Sequence, residues 1–336
     1  MLNHNGLKFL PDCIHSLRNQ TYPDHQIIVV DNASTDGSVA FLREKHTDVK
    51  ILTHNENYGF GKSYNRAIRE VDSRYVILLN NDVVVDKNWM SALVKCFDSH
   101  SNIFACGSRI LLQDPKERIN HAGGRVAIFG GGWDEKFLDP TNDQTKEPYP
   151  TSSACGAAMM MDREIFLELG GFDDDFFAYF EDADICYRAW LSGYRVMHCP
   201  QSIAYHALSG SWGRKISQRR ILLGETNRLQ MALKDFELTT LFKSMPALSA
   251  MRIEKMLKYL LGRGPASPHV MAQADLQIMK NLPRILRKRM QVQARRKVSD
   301  HDLQVLGVLV GLKEIIKERA RLNLRRRELA VPPGYI

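Results

Sequence analysis

Apolar and polar positions along the first hundred residues follow two alternating periods. In GLKFLPDCIHSL, Leu7, Leu10, Ile14 and Leu17 recur at helical spacing, with Pro11 tolerable in a first turn. HQIIVVD is a short continuous apolar run, the pattern of a strand buried on both faces. TDGSVAFLREKH then predicts a helix, VKILTHN a strand, GKSYNRAIREV a helix, RYVILLNN a strand and NWMSALVKCF a helix. Strands alternating with helices predict an α/β fold with a mostly parallel sheet. The middle is less regular. RINHAGGRVAIFGGGW predicts a hairpin and a mobile glycine loop, SSACGAAMMMD a strand, and REIFLELGGF a helix stopped by Gly170 and Gly171. FFAYFEDADICYRAWLSGY sets three acids before a helix, and RVMHCPQSIAYH predicts a final strand. Beyond about residue 215 the patterns are helical only, with a break at GRGPASP (262–268).

Polar clusters interrupt this pattern at strand ends: Asp31, Asn55–Asn57 and Asn80–Asp82. An isolated Asn-Asn-Asp reads as a turn, because these side chains bond their own backbone. Parallel sheets, however, bind ligands at the carboxyl ends of their strands. Three such clusters on one rim point to a site. Composition divides the chain further. Residues 241–336 carry 20 Lys and Arg against 7 Asp and Glu, whereas residues 1–240 are net acidic. The six cysteines are scattered without a C-x-x-C pair, which disfavours zinc or a disulfide framework and fits a reducing cytoplasm. No apolar run approaches the roughly 18 residues of a membrane span.

The segments NHNGLKFLPDCIHSLRNQTYPDHQIIVVDNASTDGS, NENYGFGK, LLNNDVVV, GGFDDDFFAYFEDADICYR and YHALSGS, in this order, resemble family-two inverting glycosyltransferases, closest in character to rhamnosyltransferase-like and galactofuranosyltransferase-like enzymes of bacterial surface polysaccharides. The resemblance covers roughly residues 3 to 230. It implies a GT-A fold, a nucleoside-diphosphate sugar donor (UDP- or dTDP-linked), a glycan or lipid-linked acceptor and Mg²⁺ or Mn²⁺. The expected division is a catalytic domain over 1–225 and a helical, basic region over 226–336.

Residue by residue, the resemblance puts Asn3, Asn5, Asp31, Asn57 and Gly59 beside the nucleotide, with Asp31 accepting the N3–H of a uracil or thymine ring. Lys62 is either a phosphate contact or an exposed lysine at a helix start. A P-loop is excluded, since Glu56 stands where its first glycine belongs. Asn80, Asn81 and Asp82 occupy the place of the family's D-x-D metal motif. Asp82 is the expected metal ligand with His206, and Asn80 gives a neutral contact where the family has an acid. In EDAD, Asp182 corresponds to the general base. Glu181 orients the site, and Asp184 is expected as a cap or surface charge. By residue type, Gly156 leaves room for an acceptor, Trp212 is either a stacking surface for a sugar or buried packing, and Trp133 is expected to be buried packing. A sugar-phosphate nucleotidyltransferase and a non-catalytic nucleotide-sugar binder remain as alternatives. A dinucleotide dehydrogenase lacks its G-x-G-x-x-G.

Two further expectations concern the ends. A central strand needs about five residues, and only Met1 and Leu2 precede the Asn3–Gly6 turn. Roughly five to ten more residues, rich in Val and Ile, are therefore expected upstream. The basic C-terminal region predicts peripheral binding to the anionic inner face of the cytoplasmic membrane rather than to nucleic acid.

Overall fold

A computed structural model describes residues 1–113, 118–142, 145–207, 217–262 and 267–329. The first third alternates as the apolar periods require: β1 (Leu2–Asn3), α1 (Leu10–Arg18), β2 (Ile28–Asp31), α2 (Ser38–Lys45), β3 (Lys50–Thr53), α3 (Phe60–Arg69), β4 (Tyr75–Leu79), β5 (Val83–Val85) and α4 (Trp89–Asp98). Helix α1 buries Leu10, Cys13, Ile14 and Leu17 on one stripe, with its proline in the first turn. The centre holds β6 (Ile103–Leu112), β7 (Ile119–His121), β8 (Gly124–Ala127), β9 (Gly132–Asp134), β10 (Tyr149–Pro150), β11 (Ala158–Asp162), α5 (Arg163–Glu168), α6 (Glu181–Leu191) and β12 (Arg195–His206). The last part holds α7 (Gln218–Asp235), α8 (Leu238–Leu260), α9 (His269–Arg295), α10 (Asp300–Val305), β13 (Leu309–Val310) and α11 (Leu312–Glu328).

Strands β1, β2 and β3 pair in parallel, and β6 pairs in parallel with β12. Strand β11 runs antiparallel to both of its neighbours, β4 and β6. It arrives from the β7–β10 excursion rather than through a crossover helix, so the sheet is parallel-rich but mixed. The expected glycine loop closes the β8–β9 hairpin instead, with Gly130 in a left-handed turn packed against Arg228 and Ala232. The C-terminal region is also not purely helical. Strand β13 pairs in parallel with β8, buried on both residues, and Ser152 donates to the carbonyl of Val308 just before it. The boundary expected at residue 225 falls inside α7, and Met231, Ala232 and Phe236 join the core formed by α6 and β11. Five cysteines are buried, Cys155 is half-buried, and all six are free thiols.

Strand β1 is only two residues long. It joins β2 to the rest of the sheet through a single bridge, Leu2 to Asn80. Beside Met1, a slot of about 600 Å³ runs between β2 and β4, lined by Ile28, Val30, Tyr64, Ile68, Ile77 and Leu79. The Met1 ammonium donates to the Ile28 carbonyl at 2.8 Å, and burial lowers its pKa to about 6.

Candidate active site

The rim at the ends of β1, β2 and β4 is a connected polar network. Asn3, fully buried, donates to Asp31 at 2.8 Å and to Ser34 at 3.1 Å, and accepts from Asn81 at 2.8 Å. The second oxygen of Asp31 accepts the Ser34 amide at 2.9 Å. Asn5, at φ 51°, accepts the Thr35 amide at 2.8 Å, so it fixes the same loop from its exposed side. Asp36 accepts the Leu7 amide at 2.8 Å and the Ser38 amide at 3.0 Å, tying the turn before α1 to the first residue of α2. Asn32, which the sequence reading passed over, donates to the Gly59 carbonyl at 3.0 Å and accepts from Ser63 and His54. Gly59 sits at φ 78°, where an added Cβ would lie 2.2 Å from the Phe177 carbonyl, so glycine is required there. Asn57 accepts the Gly59 amide at 2.9 Å. Lys62 rests over the Tyr58 ring at 4.4 Å.

The interruption after β4 is both a turn and a meeting point. The Asn80 carbonyl accepts the Val83 amide, closing the turn, and β5 then pairs with β12 so that Val83 faces His206. This brings the Asp82 carboxylate 3.2 Å from His206 Nε2, while Nδ1 of the same ring bonds Asn120 at 3.0 Å. Asn120 thereby orients the imidazole, the usual arrangement behind a ligating histidine. Among the described residues no three His, Cys, Asp or Glu side chains gather as a metal cage. One carboxylate and one imidazole suit a hard divalent ion only if phosphate oxygens complete its shell.

The third group lies one residue beyond. The Asn80 amide donates to Ala157 O at 3.0 Å, and the neighbouring Gly156 amide donates to Asp182 at 2.9 Å. Gly156 therefore holds the carboxylate through its backbone. The space its missing side chain leaves is filled by the Phe60 ring, not by an open passage. Burial raises the Asp182 pKa and Asp134 adds to that, against the Gly156 and Ala183 amides and His121. Glu181, also buried, is raised well above the ordinary range, first by burial and then by Asp182. His121, absent from the sequence-based list, is buried, and its Nδ1 lies 2.7 Å from Asp134. Trp133 is half-buried beside that aspartate. Trp212 lies outside the described residues.

The backbone entering α6 is strained. Tyr179 and Phe180 both have positive φ, 73° and 69°. Asn227 of α7 braces this turn by donating to the carbonyls of Ala178 and Tyr179 at 3.0 and 2.8 Å. Asp184 corrects the sequence reading: it is neither a cap nor a surface charge. It is fully buried and bonds Arg188 at 2.8 Å and Lys234 of α7. Lys234 also bonds Asp173 at 2.8 Å. The acid faces inward because α7 supplies a cation there, and the sequence places that cation 50 residues away.

The family model for glycosyl transferase family 2 matches residues 1–170, and one described as the N-terminal domain of galactosyltransferase matches residues 138–208. The N-acetylglucosaminyl-diphospho-decaprenol L-rhamnosyltransferase of Mycobacterium tuberculosis is 25% identical over 211 residues, 56% of this chain and 68% of that protein. The O-antigen chain rhamnosyltransferase WbaN of Salmonella anatum is 23% identical over 195 residues, 57% of this chain and 60% of that protein. The crystal structure of GalNAc-T7 with UDP, GalNAc and Mn²⁺ shares the fold at a TM-score of 0.57 and 18% identity, over 70% of this chain and 47% of that one. The GT-A architecture expected from the motifs is the one observed. With half of its length matched and its motifs in order along one rim, the chain belongs to glycosyl transferase family 2.

Proposed function

We propose that the chain is an inverting glycosyltransferase, moving a sugar from a UDP- or dTDP-linked donor to a glycan or lipid-linked acceptor in surface polysaccharide synthesis. The observation that carries this reading is the short backbone link between two groups of opposite task. Asp82 and His206 stand on one side of Asn80, and Asp182, through Ala157 and Gly156, stands on the other. Asn3, Asn5, Asp31, Asn57, Gly59, Lys62, Asn80 and Asn81 are the donor-side residues. Asp82 and His206 would hold Mg²⁺ or Mn²⁺ against the diphosphate, where the ion offsets charge on the leaving group. Asp182, its pKa raised by burial, takes the proton of the acceptor hydroxyl as the sugar carbon is attacked from the face opposite the diphosphate. Glu181, its pKa raised by burial and by Asp182, orients the site. The diphospho-decaprenol in the mycobacterial relative's name supports a lipid-linked acceptor.

A panel of nucleotide sugars, scored by released nucleoside diphosphate, tests the reaction. Release of pyrophosphate would indicate a nucleotidyltransferase instead. Excess chelator and Asp82→Ala are each expected to abolish turnover, and full turnover in chelator would exclude the metal role.

Among the described residues no helix is long and apolar enough to cross a membrane. Helix α8 nevertheless exposes Leu238, Phe242, Met245, Ile253, Leu257 and Leu260 beside the basic surplus of the C-terminal region. Each basic residue near an anionic leaflet contributes about 1 kcal/mol. Salt-sensitive sedimentation with anionic but not neutral liposomes is expected. Equal binding to both would count against a peripheral role.

A further inference from the structure

One pair beside the base serves neither the donor nor the metal in the reading above. His121 of β7 is buried, its side chain 3% exposed, whereas Asp134 of β9 keeps 52% of its side chain open to solvent. The Nδ1–H of His121 donates to that carboxylate at 2.7 Å, and its Nε2 is buried with no partner among the described residues. A pair this open on one side contributes little to stability, and a buried ring nitrogen left unpaired costs some. The imidazole therefore holds a half-exposed carboxylate in place, at the expense of the fold.

That carboxylate is on the side of the base. Side chains alternate along β9, so Trp133 packs with Phe129 and Val310 while Asp134 takes the opposite face. Asp134 stands opposite Gly124, and Gly124 opposite Ser153, a row of two strand spacings or about 10 Å. Glycine is needed in the middle of this row, since an added Cβ would lie 2.1 Å from the Ser153 hydroxyl. From Ser153 the chain runs to Cys155 and to Gly156, whose amide holds Asp182. The electrostatics agree. The side-chain charges acting on Asp182 are Asp134 and His121, and burial, Asp182 and then Asp134 raise the half-buried Cys155 thiol. Both carboxylates thus share the surroundings of one thiol. A carboxylate offers only acceptor oxygens, so the ligand group that suits Asp134 is a neutral hydroxyl.

We propose that Asp134 binds the acceptor sugar: while the attacking hydroxyl meets Asp182, a second hydroxyl of the same ring donates to Asp134, and His121 is the positioning residue that aims it. The proposal rests on the glycosyltransferase reading and adds to it how the acceptor is chosen. The acceptor sugar is then neutral and polyhydroxylated. A uronic acid in its place would bring another negative charge against two carboxylates.

Methyl glycosides of glucose, galactose, mannose, rhamnose and N-acetylglucosamine serve as acceptor probes, with the donor that the nucleotide-sugar panel identifies. Asp134→Ala is expected to raise KM for the glycoside used by about 10-fold or more, with kcat and donor hydrolysis by water changed less than about 3-fold. Asp134→Asn, which still accepts from His121, should show the same split with a smaller rise. His121→Leu should match Asp134→Ala, and His121→Asn, which keeps a donor near the Nδ1 position, should stay close to wild type. One monodeoxy form of the glycoside should bind the wild type as weakly as the parent binds Asp134→Ala, and lose nothing further in that variant. An unchanged KM in both Asp134 variants, hydrolysis falling as far as transfer, or additive losses for every deoxy form would overturn the assignment. Hydrolysis without transfer to any glycoside also overturns it and leaves the glycosyltransferase reading standing, whereas no turnover of any donor removes that reading itself.

Discussion

Asp182→Asn is expected to lower turnover by about 100-fold or more while leaving donor affinity nearly unchanged. The amide keeps the shape of the carboxylate and can still accept the Gly156 N–H, giving up only the Ala183 N–H that the second oxygen accepts, so the main loss is basicity. The sign of the pH dependence follows from the raised pKa. The base exists only above that value, so wild-type turnover should fall on acidification at a higher pH than an ordinary aspartate would give. The variant should lose this limb of the profile. A product anomer inverted relative to the donor completes the assignment. If donor binding is lost instead, Asp182 belongs to the donor pocket and another group is the base.

Lys234→Met is expected to destabilise the fold by about 3 kcal/mol, because the buried Asp173 and Asp184 each lose a cation and keep only Lys288 and Arg188 respectively. Burial pushes the Asp173 carboxyl up, but Lys234 and Lys288 outweigh it and hold the group well below the ordinary carboxylate range. A depressed carboxyl contributes stability above its unfolded pKa and loses it as pH falls. The wild type should therefore weaken in acid, below about pH 4, more steeply than the variant. Denaturant melts at pH 7 and pH 3 check this. Equal stability of the two proteins at pH 7 would mean the ion cluster has no net value.

The elements with a buried stripe or face were legible in the sequence, because α1, α3 and α4 bury apolar residues at helical spacing and β2 and β4 are buried apolar runs. The direction of β11 was not, since AMMMD is apolar whether its neighbours run with it or against it. Strand β13 is two residues long, too short for any period. Within the site, acids and glycines stood out by type, and Asp82 and His206 do meet. The residues that aim them did not. Asn32, Asn120 and Asn227 act through single amides on partners distant in sequence. The buried asparagine of INH, directly before a histidine in an apolar strand, was the one available signal. Asp184 was misjudged for the same reason: its burial is decided by Lys234.

The bonds from Asn227 to Ala178 and Tyr179 also bear on how such enzymes exchange parts. The left-handed pair at Tyr179 and Phe180 belongs to one segment and its brace to another, 48 residues later. A chimera that keeps the EDAD segment of this chain but takes α7 from a relative without the matching amide would inherit the strain and not its restraint. Recombination between relatives should therefore succeed when the crossover falls before residue 178 or after α7, and the two segments travel as one heritable block.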